Sequence, residues 1–198
     1  MLSQGIAGPR FEKPEEVVEW MGAMQAQDIR AAKWAVGLRI ASPSLTAVQE
    51  ALDTGRILRL HVMRPTWHYI PGRDIKWMTG LSTKGLLSKF RFYAKHFSLT
   101  EEDFLRSKPQ IEEVLSGQHL TSQEVLEQLH SKGIALDEPI VKMYLSFGEA
   151  DGTVCSGIEK NGKHTYALTC ERIPDAIELS HEEALAELTR RYFRSHGP

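Results

Sequence analysis

Cysteine is scarce in this chain. Only Cys155 and Cys170 occur in 198 residues, with no CxxC pair and no histidine pair at ligand spacing beside them. That usage fits a reducing compartment and excludes a disulfide scaffold. The eight histidines are scattered, so no metal is expected. Glycine-rich phosphate loops are missing too, since neither GxGxxG nor GxxxxGKS/T occurs, and no cofactor is expected. No apolar run approaches the roughly 20 residues that span a bilayer, and residues 1–10 lack the charged-then-apolar layout of a signal peptide. The expectation is a cytoplasmic protein with no membrane partner.

A hydrophobic share of 41% beside 25% charged residues is enough for one or two domains with a real core, and disorder is not indicated. The net charge of −2 conceals a partition: residues 1–53 balance at −2, residues 54–98 at +8 and residues 99–198 at −8. The middle segment holds Arg56, Arg59, Arg64, Arg73, Lys76, Lys84, Lys89, Arg91 and Lys95 against a single acid, Asp74. Such a basic island suits a polyanion, because each phosphate it neutralises releases counterions. The plainer alternative is a solvated face whose partners are the acids on either side.

Gln25-Ala26-Gln27-Asp28 lies between two helical patterns. Val17, Trp20, Met21 and Met24 recur at helical spacing over 15–24, and Ala31, Trp34, Ala35 and Leu38 do so further on. These apolar positions are expected to face the core, and Trp34 and Trp67 to be core residues. Asp28 is placed to cap the second helix, its carboxylate accepting from the orphan amides of the first turn. The first helix is then expected to end near Met24 or Gln25. Gln25-Ala26-Gln27 becomes a short extended joint, in which side chains two apart point to one side, so both amides could face one cavity. In a helix they would diverge by about 200°. The alternative is that they only satisfy backbone groups at a helix junction.

Residues 1–14 contain Gly5, Gly8 and Pro9 with little periodicity, and their tip is expected to be mobile. A third helix starts at Pro43-Ser44 and closes at Gly55. Residues 56–63 alternate, with Leu58, Leu60 and Val62 on one face and Arg59 and His61 on the other, and Arg64-Pro65 turns the chain into a second strand over 66–70. Three helices followed by two antiparallel strands is the order of a winged helix. His68 and Arg64 share a parity and could line the cavity of the glutamines; for His68 a hydrogen-bonded core histidine is the alternative. Residues 71–81 read as a short helix and 84–97 as a longer one, with Lys84, Lys89, Arg91 and Lys95 largely outward. Thr100 caps the next helix, which Pro109 is expected to break or restart.

The winged-helix order then recurs, with no recognisable likeness in sequence between the two units. Thr121 caps a helix over 122–131 that Gly133 ends, and Pro139 opens another over 140–147. Residues 153–158 and 164–169 form a hairpin across Lys160-Asn161-Gly162-Lys163, Asn-Gly being the strongest two-residue hairpin signal. Lys160 and Lys163 at that tip suit phosphate contact. The turn sets Cys155 opposite Leu168 and Cys170 opposite Thr153, diagonal neighbours expected to stay free thiols. Ser180 caps a last helix over 182–195, and with so little sequence beyond it to cover Leu185, Leu188 and Tyr192 the chain reads as a fragment. The expected fold class is mainly α with small β-hairpins, in tandem winged-helix (helix-turn-helix) motifs. Residues 1–98 form a first unit with the basic helices, 99–179 a second with the hairpin wing, and 180–198 the start of a third, truncated unit.

Gln25-Ala26-Gln27-Asp28, Trp34-Ala35-Val36-Gly37-Leu38-Arg39, Met63-Arg64-Pro65-Thr66-Trp67-His68, and Arg190-Arg191-Tyr192-Phe193 with Ser195-His196-Gly197-Pro198 resemble, in the same order over nearly the whole chain, the winged-helix DNA glycosylases of the AlkZ/YcaQ type. The resemblance implies three stacked winged-helix motifs, most of the third being absent here. It implies hydrolysis of the N-glycosidic bond of N-alkylated purines in DNA repair, with unhooking of interstrand crosslinks in some members. Its catalytic element is Gln-aliphatic-Gln or Gln-aliphatic-Asp, here Gln25 and Gln27 around a small Ala26. Amides suit that chemistry: an N7-alkylated purine already carries positive charge and leaves without a general acid, and glutamine can orient water but cannot titrate. The partner is then damaged double-stranded DNA, met through Arg59, Arg64, His68, Lys84, Lys89, Arg91, Lys95, Lys160 and Lys163. The competing class is a winged-helix regulator that binds DNA without catalysis, which fold alone cannot separate from an enzyme. A protein-interaction module with its basic island against an acidic partner is a third reading.

Overall fold

The computed structural model describes residues 3–7 and 11–197; part of the opening segment expected to be mobile, residues 1–2 and 8–10, lies outside them. Helix α1 (Pro14–Met21) begins with a proline in its first turn, where a missing N–H costs nothing, and with Glu16 reaching back to the Lys13 amide. It stops at Met21, earlier than expected, because Gly22 takes φ +81°, a conformation that favours glycine. Met24 instead opens β1 (Met24–Gln25) and is buried in the first core. Helix α2 (Ile29–Gly37) is capped as expected, Asp28 Oδ1 accepting from the Arg30 and Ala31 amides at 2.9 and 3.0 Å. After α3 (Leu45–Asp53), capped by Ser44, the strands β2 (Ile57–His61) and β3 (Trp67–Pro71) join β1 in an antiparallel sheet of order β1-β3-β2.

The buried face of α2 differs from the expected one. Ala32, Val36 and Gly37 are buried, whereas Ala31 and Leu38 are exposed and Trp34 is 57% exposed. This helix is apolar on several sides, so periodicity could not choose among them. The face that is buried packs on α3, where Gly37 lies against Leu45 and Val48. Trp67, the other expected core indole, is only half-buried.

Helix α4 (Ile75–Ala94) is one helix of 20 residues, entered through a 3-10 turn, Gly72–Asp74, and left through another, Lys95–Phe97. Two helices were expected. The Thr79, Ser82 and Thr83 hydroxyls donate to the carbonyls of Ile75, Met78 and Thr79 at 2.7, 2.8 and 2.6 Å, which satisfies these poor helix formers without interrupting the helix. Helix α5 (Glu101–Leu115) runs through Pro109 instead of breaking. The carbonyl robbed of a donor is that of Leu105, a residue 68% exposed, where water can take over.

Helices α6 (Ser122–Ser131) and α7 (Glu138–Asp151) lead to β4 (Val154–Ser156) and β5 (Tyr166–Leu168), joined across Asn161 and Gly162 at φ +51° and +76°. Lys160 and Lys163 exchange both backbone hydrogen bonds, so the two-residue turn is as expected. The register is not: Cys155 faces Ala167, one residue from Leu168. The Ile158 amide donates to His119 Nδ1 and its carbonyl accepts from Thr165 Oγ1, pulling an extra residue out of the ladder as a bulge. Cys170 leaves the sheet on the short α8 (Thr169–Arg172), and both thiols are free.

Apolar side chains gather in three clusters. The first, with Val17, Val36, Val48 and Tyr69, lies between α1–α3 and one face of the sheet. The second, with Leu86, Phe90, Leu115, Leu129 and Leu145, joins the end of α4 to α5–α7. Between them Leu58, Leu60, Ile70, Met78 and Cys155 fill the other sheet face together with α9 (His181–His196), which contributes Ala184 and Leu188. Arg191 of α9 reaches the fully buried Asp74 at 2.5 Å, and the Trp77 indole N–H donates to the second Asp74 oxygen at 3.0 Å. Leu185 and Tyr192 stay exposed. Among the described residues no helix is long and apolar enough to cross a membrane.

Candidate functional site

The joint between α1 and α2 is extended, and its alternation is complete: Gln25 and Gln27 are exposed while Ala26 between them is fully buried. Both amides therefore stand on one side of the chain. Neither lines the cavity of about 150 Å³ among Phe104, Tyr144 and Phe147, nor the small one beside the joint that Ile29, Arg59 and His164 line. The two glutamines share an exposed sheet edge.

Backbone exchange at this edge is unusual. The Ala26 N–H donates to the Trp67 carbonyl at 2.7 Å, but the reciprocal bond is not made. The Trp67 N–H donates to Gln27 Oε1 at 3.3 Å, and the Ala26 carbonyl accepts from Arg59 Nε at 2.9 Å. Arg59 Nη2 donates to the Gln27 carbonyl at 3.3 Å, and the guanidinium lies 4.2 Å from the centre of the Trp67 ring. Arg59 thus grips the joint through both of its carbonyls. That leaves the Gln25 amide and the Gln27 NH2 turned to solvent.

Directly opposite Gln25 on β3 is His68. Because Ala26 and Trp67 form the bonded pair, the next pair along, Gln25 and His68, is the non-bonded kind, with Cα atoms about 4.5 Å apart and side chains at their closest. The His68 ring is 5% exposed, and its Nδ1 sits 2.8 Å from the Thr66 carbonyl. A carbonyl only accepts, so Nδ1 carries the proton and Nε2 is the acceptor. Burial, with the nearby charge of Arg64 and of His61, holds His68 below the usual histidine range despite that hydrogen bond.

Beneath the joint lies a polar cluster that the sequence did not disclose. His61 Nδ1 is 2.6 Å from Glu149 Oε2, and the Trp67 ring packs on His61 at 4.2 Å and on His164 at 4.5 Å. Glu149, on α7, is fully buried, and burial pushes its carboxyl above the usual range. The one signal was an acid following the apolar run Met143-Tyr144-Leu145 and Phe147 of α7, shortly before Asp151.

The basic island separates into two groups. Arg56 is paired with Glu15 and Glu50, Arg73 with Glu19, Lys76 with Glu178 and Arg91 with Glu101, so flanking acids do answer part of it. Arg64, Lys84, Lys89 and Lys95 are exposed and have no ion-pair partner among the described residues. At the second hairpin tip Lys160 is tied to Glu124 at 3.0 Å, while Lys163 is exposed. Arg59, half-buried and bonded to two carbonyls, has little left for a phosphate. The C-terminal half of α3 is engaged from outside, while Leu45, Thr46 and Glu50 stay exposed. Arg172 donates to the carbonyls of Leu52 and Asp53, and Lys33, which also donates to Gln49 on α3, pairs with Glu159 of the hairpin. Among the described residues no group of three His, Cys, Asp or Glu side chains could hold a metal ion.

Residues 18–198 match the model of a family described as DNA glycosylase AlkZ-like. No curated protein matches the chain. Among solved structures, the Streptomyces sahachiroi DNA glycosylase AlkZ resembles it along its whole length, with a TM-score of 0.78 and 20% identity. That is a likeness of fold. The chain spans about half of that protein, 55% of it.

Proposed function

The chain belongs to the AlkZ-like DNA glycosylase family, and from that premise we propose that it hydrolyses the N-glycosidic bond of cationic, N-alkylated purines in duplex DNA, as a repair activity carried by Gln25 and Gln27. The observation that carries the reading is the pair of exposed amides on an extended joint around a sealed Ala26. A regulator has no need of that arrangement. Nothing in the chemistry asks for an acid, because the alkylated base leaves as a neutral purine. The protein must place water and face the positive charge that develops on the sugar, and amide dipoles can do both.

We read the order α1-β1-α2-α3-β2-β3, with its β1-β3-β2 sheet, as a winged helix, and α6, α7 and the β4–β5 hairpin as a second one. In the first unit the C-terminal half of α3, the helix that such modules lay in the major groove, is flanked by the hairpin and α8. DNA would instead meet the β1 edge and the 62–66 turn, with Arg64 and the outer face of α4 supplying cations. An open edge cannot enclose an extruded base, and it leaves room for bulky adducts or the two strands of a crosslink.

The test is incubation with a duplex carrying a single 7-methylguanine, scored as abasic sites. Gln25→Ala and Gln27→Ala should each slow release by about 100-fold, while far-UV circular dichroism and affinity for undamaged duplex stay near wild type. Duplex binding without release above the protein-free control would sink the reading and put a non-enzymatic DNA-binding regulator in its place.

A further inference from the structure

We propose that His68 is a catalytic residue of this edge, its Nε2 accepting the proton of the water that attacks the sugar while Gln25 holds that water from the opposite strand. The inference rests on the glycosylase reading and adds a titrating group to a site otherwise built of amides.

Three observations converge. Gln25 and His68 are cross-strand partners in the closest kind of antiparallel pair, so their side chains lie on one face of the sheet. The Nδ1 proton of His68 is committed to the Thr66 carbonyl, which fixes the ring and its tautomer and leaves Nε2 as a lone-pair acceptor. Nε2 of His164 is sealed without a partner, but that of His68 is not among such sealed atoms, and among the described residues no hydrogen bond occupies it. In this proposal the water donates one proton to the Gln25 carbonyl oxygen and the other to His68 Nε2.

The balance of the step requires such a group. As the C1′–N9 bond breaks, its electron pair goes to the purine and cancels the positive charge there. A lone pair of the water then forms the new C1′–O bond, and the attached oxygen must shed a proton. Glutamine cannot take it. His68 Nε2 can, and it returns the proton to solvent once the DNA has left. The charged groups around His68 are Arg64 in the 62–66 turn and His61 on β2, while β1 opposes it with neutral Gln25 and β2 with Leu60. These surroundings keep the ring neutral near pH 7, as an acceptor must be.

The experiment is the pH–rate profile of 7-methylguanine release under single-turnover conditions, for wild type, Gln25→Ala, His68→Gln and His68→Ala, together with the 15N imidazole spectrum of the wild-type chain. Wild-type rate should fall as pH drops through the pKa read for His68 by NMR. The His68→Gln variant should be about 100-fold slower with that acidic limb gone, and added imidazole should restore part of the rate to His68→Ala. The 15N shifts should show Nδ1 protonated at pH 7. An Nε2–H tautomer would overturn the proposal without reference to activity. Wild-type rate and limb in His68→Gln, beside a slowed Gln25→Ala, would overturn the His68 role and leave the glycosylase reading standing. A wild-type chain that releases no base would take both down.

Discussion

A carboxyl group with no water around it is costly to ionise, and Glu149 is so placed, with His61 on one oxygen and no partner on the other. Burial raises its folded pKa above the ordinary value, against the pull of His61 and Arg59. Between the unfolded value, about 4.3, and the raised folded value the native state holds more protons than the unfolded one. The contribution of Glu149 is therefore fully present below the unfolded pKa and is lost as pH rises through the folded pKa. Glu149→Gln keeps an acceptor for His61 without the charge, so its melting temperature should gain on wild type as pH goes from 4 to 8. A gap that stays constant with pH would show that the carboxyl is not the source. Gln25 and Gln27 were legible in sequence because their placement rests on local features, the Asp28 cap and the alternation of an extended joint. Glu149 was not, since its partner is 88 residues away. Arg59 was read as a DNA contact because it belongs to the basic island; strand parity does turn it away from Leu58 and Leu60, but the carbonyls it grips belong to a segment that parity says nothing about.

The long helix α4 carries the unpaired cations Lys84 and Lys89, and Lys95 opens the 3-10 turn that follows it; none of the three touches an acid among the described residues. Reversing all three to Glu should weaken duplex binding and lower the slope of log affinity against log salt by up to about 3, at ~0.9 for each phosphate no longer neutralised. Reversing Arg56, Arg73 and Lys76, which already face acids, should change the slope far less. Equal effects from both triples, measured by fluorescence anisotropy across a salt series, would mean that total charge matters and the face does not. The sequence marked the island but could not sort it, because the acids that answer it lie in other segments. Helix continuity failed for a similar reason: Ser82, Thr83 and Pro109 are poor helix formers by propensity, and only back-bonded hydroxyls and solvent access to the Leu105 carbonyl show why the chain passes through them. The second hairpin was half legible. Its Asn-Gly turn is a local matter, but the bulge that shifts Cys155 depends on His119, which lies across the unit.

Across the whole molecule, α9 is held to the turn that enters α4 through Arg191 and Asp74, both nearly without exposure. Asp74→Ala leaves the guanidinium buried against Glu187 alone, and a loss of about 3–5 kcal/mol is expected in denaturant unfolding; a loss under about 1 kcal/mol would mean the helix is held by its apolar face. The continuity of α4 reaches further. Ile75 and Met78 at its start belong to the cluster under the sheet, while Leu86, Phe90 and Ala94 at its end belong to the α5–α7 core. A rod of about 30 Å, at 1.5 Å per residue, is therefore rooted at both ends in different interiors. Neither half can melt without stripping partners from the other, so the chain should unfold in one cooperative transition, with the amides of α4 the last to exchange with deuterium. A cut after residue 98 would release a piece bearing Leu86, Phe90 and Ala94 as a bare stripe, prone to self-association.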